Sequence, residues 1–368
     1  MFSILKIIIF LRPFFSYVIL FWPTIFFSII LLSFLSLYIL KNKLDFKKIK
    51  PLWLVLFLFS LSLSFSIILS SNYVLSMGQL YNYIIYLLIF LISASFSFEQ
   101  KKQIINTFIF CAFLISILSI SQYLFGMNFL FKYIKQYDVA YDFNIIYIQN
   151  KRAFFPLTTP TALAGFLILS VPFMLENKKL YPLLFIVLVA LFFSKSIGAF
   201  ISLSFGLILY FYLKEKKYSL RILKIVFFIG IVILIILFIR QKTSAELNLF
   251  LSLNRRLGYW KETLLLIKKH PFVGWGLGNF ELNSTRYSHN IILQILAENG
   301  PLGLFSFLWL IILCLKCTFL NVENSLDKNF YLKIITANII FLTHNLIDFT
   351  FFLPEVSSFW WLILGMGI

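Results

Sequence analysis

Charge is what this chain has least of. Only 12% of its 368 residues are Asp, Glu, Lys or Arg, and 14 of them are acidic. A soluble domain carries about twice that charged fraction, so a water-soluble fold is excluded. Cysteine is scarce as well: Cys111, Cys314 and Cys317 all lie inside apolar runs. The lone Cys314-x-x-Cys317 has no further ligands nearby, so it reads as small side chains packed in a membrane helix and not as a zinc site. No Asp-x-Asp occurs, which leaves a metal-bound nucleotide-sugar mechanism without ligands to use; no cofactor or metal is expected. The N-terminal stretch holds Lys6 and Arg12 but no small-residue cleavage site, so it reads as a retained first helix and not a cleaved signal peptide. No tandem repeat or low-complexity linker interrupts the chain, and residues 1–368 are treated as a single membrane domain.

What the chain has instead is apolar surface. Hydrophobic residues make up 61% of it, in runs of about 20 residues, the length of a helix across hydrocarbon. The runs are continuously apolar and do not alternate, which favours helices over a barrel. The expected fold is all-α: a polytopic integral membrane protein with about twelve transmembrane helices and an outer region of loops and one helix. The helices fall near 3–20, 23–40, 51–70, 73–97, 104–125, 160–175, 181–194, 197–213, 221–239, 300–320, 330–350 and 355–368.

The net charge is +18. In a soluble protein this would point to nucleic acid; here no nucleic-acid partner is expected. Lys/Arg-rich short loops at 41–50, 101–102, 178–179 and 214–221 fall on one side, the positive-inside pattern with both termini cytoplasmic. Two long segments, 126–157 and 240–299, then lie outside. They are basic too, and long segments translocate despite charge. Membrane lipids and an anionic substrate are the partners such a face fits.

Residues 255–303 are the longest polar interruption and hold His270 and His289. After Asn254, a plausible cap, Leu257, Trp260, Leu264 and Ile267 recur at helical spacing. Lys268, Lys269 and His270 suit a C-terminal turn that Pro271 ends. This amphipathic helix is expected at the outer membrane surface. Arg255 and Arg256 then sit at its start, the wrong end for cations, where a bound phosphate would reverse the cost. An arginine pair serving lipid headgroups is the other reading.

His289 precedes an apolar helix. Asn290, Gln294 and Glu298 follow at intervals of four, one polar stripe expected to line a cavity. A neutral imidazole there can take a proton from a substrate hydroxyl, and an unperturbed one loses that ability below a pH of about 6.5. A hydrogen-bonded interfacial histidine is the alternative. Gly300-Pro301 restarts the helix, and Gly303 allows close helix approach. Gly274-x-Gly-x-Gly278 has no strand before it and no Lys-Ser/Thr after it, so it reads as a tight external turn. His344 and Asp348 are one helical turn apart and can pair; a structural role beneath the site and a direct one are both open.

His289-Asn290 followed by nine residues and Gly300-Pro-Leu-Gly303 resembles the C-terminal signature of the bacterial O-antigen ligase family. That family includes O-antigen polymerases and protein O-oligosaccharyltransferases. Arg256-Leu-Gly-Tyr-Trp260, His270-Pro271 and Gly274-Trp-Gly-Leu-Gly-Asn-Phe280 add to the likeness. So does Arg152 before Pro160-Thr-Ala-Leu-Ala-Gly165. The resemblance implies a GT-C-like inner-membrane glycosyltransferase. It would move glycan, with inversion and without metal, from undecaprenyl diphosphate to a lipid A–core sugar at the periplasmic face. In that reading Arg256 and Arg152 hold the diphosphate, His289 activates the acceptor, and Arg255, Asn290, Gln294, Glu298, His344 and Asp348 complete the substrate site. Two departures stand out. Trp260 occupies a position where some members have Leu, and Ser196-Ile197-Gly198 replaces a frequent Ser-Arg-Gly, with Lys195 as the nearest substitute cation. A polymerase is the closest rival. A polysaccharide transporter is the rival of a different class and would spread its charges along several helices.

Overall fold

A computed structural model describes residues 1–16, 21–42, 44–68, 70–128, 132, 147–215, 220–243, 249–283, 285–325 and 327–368. Every regular element among them is helical. The main helices are α1 (Phe2–Leu11), α2 (Phe21–Lys41), α3 (Trp53–Ile68), α4 (Tyr73–Ala94) and α5 (Phe98–Ser121). There follow α6 (Pro160–Met174), α7 (Tyr181–Ser194), α8 (Ile197–Glu215), α9 (Leu220–Thr243) and α10 (Leu249–Lys269). The last three are α11 (Ile291–Asn324), α12 (Lys328–Asn345) and α13 (Pro354–Met366).

Among the described residues six helices are long and apolar enough to cross a membrane: Trp22–Lys41, Phe46–Ile68, Tyr73–Ala94, Phe98–Gly126, Ile197–Lys214 and Ile291–Asn324. Pro160–Met174 and Phe227–Phe238 are shorter apolar helices. The first helix ends earlier than its hydropathy predicts. Pro13 has no N–H to continue the ladder, so the chain passes through a 3-10 turn at Arg12–Phe14 into extended backbone at Phe15. Most of the segment 126–157, with Asp138 and Asp142, and part of the loop 214–221 lie outside the described residues.

A helix apolar on all sides belongs in the middle of a bundle. Every residue of α13 is buried, Glu355, Ser357 and Ser358 among them, and it packs on α4. Trp360 and Trp361 are wholly buried there, against Phe341, Phe351, Tyr86 and Phe90. Aromatic pairs of this kind contribute about 0.5–1.5 kcal/mol each beyond their burial. α6 is the other central helix, and α12 lies on it. The buried core runs without interruption from Leu5 to Ile368.

The two ends of the bundle differ. At one, Lys102 pairs with Asp327 at 3.6 Å, Lys214 pairs with Glu176, and Lys333 donates to the Leu175 carbonyl at 2.9 Å. Lys48 faces Lys101, and Asp45 N–H donates to Ser95 Oγ at 3.0 Å. The Lys-rich loops therefore do gather at one end. α4 is 22 residues long, so its start lies about 33 Å from that end. There Asn72 N–H donates to Asn279 Oδ1 at 2.8 Å, and Asn279 Nδ2 donates to Ser76 Oγ at 2.6 Å. The glycine-rich turn is thereby docked on the α3–α4 connection, at the end opposite the lysines.

Candidate functional site

α10 begins at Leu249, five residues before Asn254. Asn254 is therefore not a cap, and Arg255 and Arg256 lie within the helix. The free helix amides expected beside them are absent, because interior N–H groups are already bonded to the preceding turn. The spacing misplaced the start because the residues ahead of Asn254 are as compatible with a helix as those after it. α10 also divides its apolar residues differently. Tyr259, Leu266 and Ile267 pack inward on Phe280, Leu282 and Ala297, whereas Leu257 and Leu264 face outward.

Arg256 points inward and meets Asp348, with Nη2 3.5 Å from Oδ2. Asp348 is 1% exposed and sits in the connection after α12, where Phe349 N–H donates to its Oδ1 at 2.9 Å. Burial alone would raise this carboxyl. His344, Arg256, His289 and the Phe349 amide together outweigh it and hold the group below the usual carboxylate range. His344 lies beneath, wholly buried, against the backbone of Thr161 and Gly198. Arg152 reaches the same place and interacts electrostatically with both Asp348 and Arg256. Its Nε donates to the Ser194 carbonyl at 2.9 Å and its guanidinium lies 5.5 Å from the Tyr147 ring centroid. Burial pushes its pKa down from the ordinary value, and Arg256 adds to this while Tyr147 and Asp348 oppose it. Two arginines thus converge on one carboxylate, leaving an excess of positive charge.

His289 stands at the edge of this group. Its backbone is left-handed, φ 55°, and its ring lies between Tyr259, stacked at 5.5 Å, and Phe349, edge-on at 4.8 Å. Nδ1 is buried with no hydrogen-bond partner among the described residues. Burial lowers its pKa to about 4, Arg256 acting in the same direction and Asp348 against it. At neutral pH the ring is therefore uncharged and able to accept a proton. The inflection near 6.5 expected of an ordinary imidazole is displaced to about 4.

The stripe after His289 is bonded to protein. Asn290 caps α11 by accepting from Ile292 and Leu293 N–H, and its Nδ2 donates to the Leu346 carbonyl at 3.0 Å. Gln294 accepts from Ser288 N–H at 2.7 Å and donates to Glu298 Oε1 at 2.7 Å. Glu298 Oε2 accepts from Gly278 N–H at 3.1 Å. Gln294 and Glu298 are buried and bonded to protein where an open polar cavity was expected. They pin the turn 274–278, whose three glycines all have positive φ. A tight turn is observed there, but Gly274, Gly276, Leu277 and Gly278 are buried where an external turn was expected. Gly300, φ 66°, breaks α11 as expected; a Cβ on it would lie 2.4 Å from the Phe272 carbonyl oxygen, so only glycine fits. Glu298→Ala should orphan two buried donors and destabilise the fold by about 1–3 kcal/mol for each. Thermal unfolding checks this. An unchanged melting temperature with lost ligand affinity would return Glu298 to the substrate site.

Lys195, also left-handed, donates from Nζ to the Asn150 carbonyl at 3.0 Å. With Arg152 Nε on Ser194 O and Ala153 N–H on Phe193 O at 2.9 Å, it clasps the segment 150–153 to the end of α7. Arg255 is exposed and makes none of these contacts. Sequence reasoning missed Tyr147, Tyr259 and Phe349, which frame Arg152 and His289. Aromatics are too common in this chain to mark them.

Residues 182–308 match the family model described as O-Antigen ligase. Over that stretch the chain is similar to the O-antigen ligase family. No curated protein matches the chain. The family region contains Lys195, Arg256, His289, Asn290, Gln294 and Glu298; Arg152, His344 and Asp348 lie beyond its ends. The six apolar helices, together with the match to the O-antigen ligase model, support a multi-pass membrane protein.

Proposed function

We propose that this protein is an O-antigen ligase of the inner membrane with its site on the periplasmic face. It takes glycan from undecaprenyl diphosphate and joins it to a lipid A–core sugar. The observation that carries the reading is the meeting of Arg152, Arg256, Asp348 and an uncharged His289 at the end of the bundle away from the lysines. Leaving diphosphate develops negative charge, and two preplaced guanidinium groups stabilise it without reorganisation. The acceptor hydroxyl oxygen attacks the anomeric carbon from the opposite face. The bond from that carbon to the diphosphate oxygen breaks, its electron pair leaves with the diphosphate, and the hydroxyl proton passes to His289. Asp348 holds Arg256 in place and lies close enough to stabilise the imidazolium that forms. The twelve-helix, GT-C-like bundle over the whole chain is part of the same proposal.

Deletion of the gene, with analysis of lipid-linked intermediates, tests the reading. Long undecaprenyl-linked polymer is expected to accumulate. Accumulation of single repeat units would make the protein a polymerase, and no change in the intermediates would remove it from this step.

A further inference from the structure

α5 does not end in an ordinary turn. Its last α-helical residue is Ser121, and Gln122–Gly126 form a π-helical turn. Such turns are rare and concentrate at functional places. This one presents Gln122, which is 4% exposed, to the segment that carries Arg152. Gln122 Oε1 accepts two hydrogen bonds at once, from Phe154 N–H and from Phe155 N–H, both at 2.9 Å. The amide nitrogen has only a long contact to Met127 Sδ, 3.8 Å. The oxygen is therefore the part of Gln122 in use. Next to it, Tyr123 stacks on Phe193 with centroids 3.9 Å apart, and Phe193 O is the acceptor for Ala153 N–H. The turn at 122–123 thus braces both sides of the clasp, 153–155 and 193–195, within which Arg152 Nε is fixed on Ser194 O.

We propose that Gln122 is a positioning residue for Arg152: it sets the backbone from which the guanidinium reaches a diphosphate. This rests on the donor reading above. Two consecutive amides, Phe154 buried and Phe155 partly so, point at one side-chain oxygen and lose their shared acceptor if it is removed. The chain at 153–155 must then move to find water or new partners, and the guanidinium moves with it. Glutamate at 122 keeps the acceptor oxygen. Asparagine keeps the amide but is one carbon shorter and falls short of both N–H groups.

The test is a double-mutant cycle on the purified full chain, with undecaprenyl diphosphate itself as the probe. Gln122→Leu is expected to weaken binding about 10-fold, the loss of a charge-assisted hydrogen bond. Gln122→Asn, which does not strand an apolar side chain in this setting and serves if the leucine variant fails to fold, is expected to do the same. Gln122→Glu should stay close to the intact protein. In an Arg152→Ala background neither change at Gln122 should weaken binding further. Unaltered binding by Gln122→Asn overturns the proposal, as does an equal loss with and without Arg152, because Gln122 would then act independently of it. If the intact protein does not bind the probe, the donor reading falls and takes this inference with it. An intact protein that binds, loses affinity on Arg152→Ala and ignores Gln122 separates the two failures.

Discussion

His289→Ala is expected to transfer glycan about 10²–10⁴ times more slowly than the intact protein, the usual contribution of a positioned general base. Undecaprenyl diphosphate should still bind, because the proposed donor groups Arg152 and Arg256 sit on other elements. The pH profile carries the sharper expectation. Burial lowers the free imidazole to about 4, so the active neutral form is present above that value and is lost as pH falls through it. In kcat/KM, which reports the free protein, the acid limb should therefore inflect near 4 and not near 6.5. A bound diphosphate places negative charge beside the ring and favours the imidazolium. The inflection in kcat at saturating donor should accordingly move upward from 4. Purified transfer activity measured beside donor affinity decides the matter. Should affinity and rate fall together in His289→Ala, the residue is a binding group and the general-base role is wrong.

Arg256→Lys should abolish most activity while the protein still folds. The pair with Asp348 is the reason to use lysine. Arg256→Ala would strand a carboxylate that is 1% exposed, and breaking a buried pair in this way costs about 3–5 kcal/mol of stability, which confuses the result. Lysine keeps a positive charge beside Asp348, so the melting temperature should hold. What it loses is the planar fork that binds two phosphate oxygens at once while still reaching the carboxylate. A fall of about 10²-fold in kcat/KM is expected, the scale of losing one preplaced group facing the transition-state charge. Near-normal transfer by Arg256→Lys would leave the guanidinium only a lipid-headgroup role.

The parts of this molecule readable in its sequence are those set by local chemistry. The central helix α6 follows from Pro160 at its first turn, and the break in α11 follows from Gly300-Pro301. Arg152, Arg256, His289, His344 and Asp348 all stand out as charges or imidazoles beside apolar runs, and the fold does bring them together. What sequence does not show is partnership at long range. Nothing in the neighbourhood of Arg256 says that its counter-ion is Asp348, 92 positions away. The stripe Asn290, Gln294, Glu298 has the spacing of a cavity lining, yet its members bond to the Leu346 carbonyl, to Ser288 N–H and to Gly278 N–H. Period alone identifies one face of a helix, not whether water or a glycine turn lies against it. Gln122 carried one signal that was passed over. It is a lone amide at the end of an apolar run, where an unsatisfied polar group is costly.

The burial of α13 has a consequence for how the molecule is made. This helix is synthesised after every helix that surrounds it, yet it occupies the middle. Its 13 residues give about 20 Å of helix, shorter than the hydrocarbon it sits in. It cannot be inserted as an independent unit and then wait for neighbours. α4 and α12 must already be in the bilayer, held apart or loosely closed, with a vacancy between them. The arrival of Trp360 and Trp361 then closes the structure.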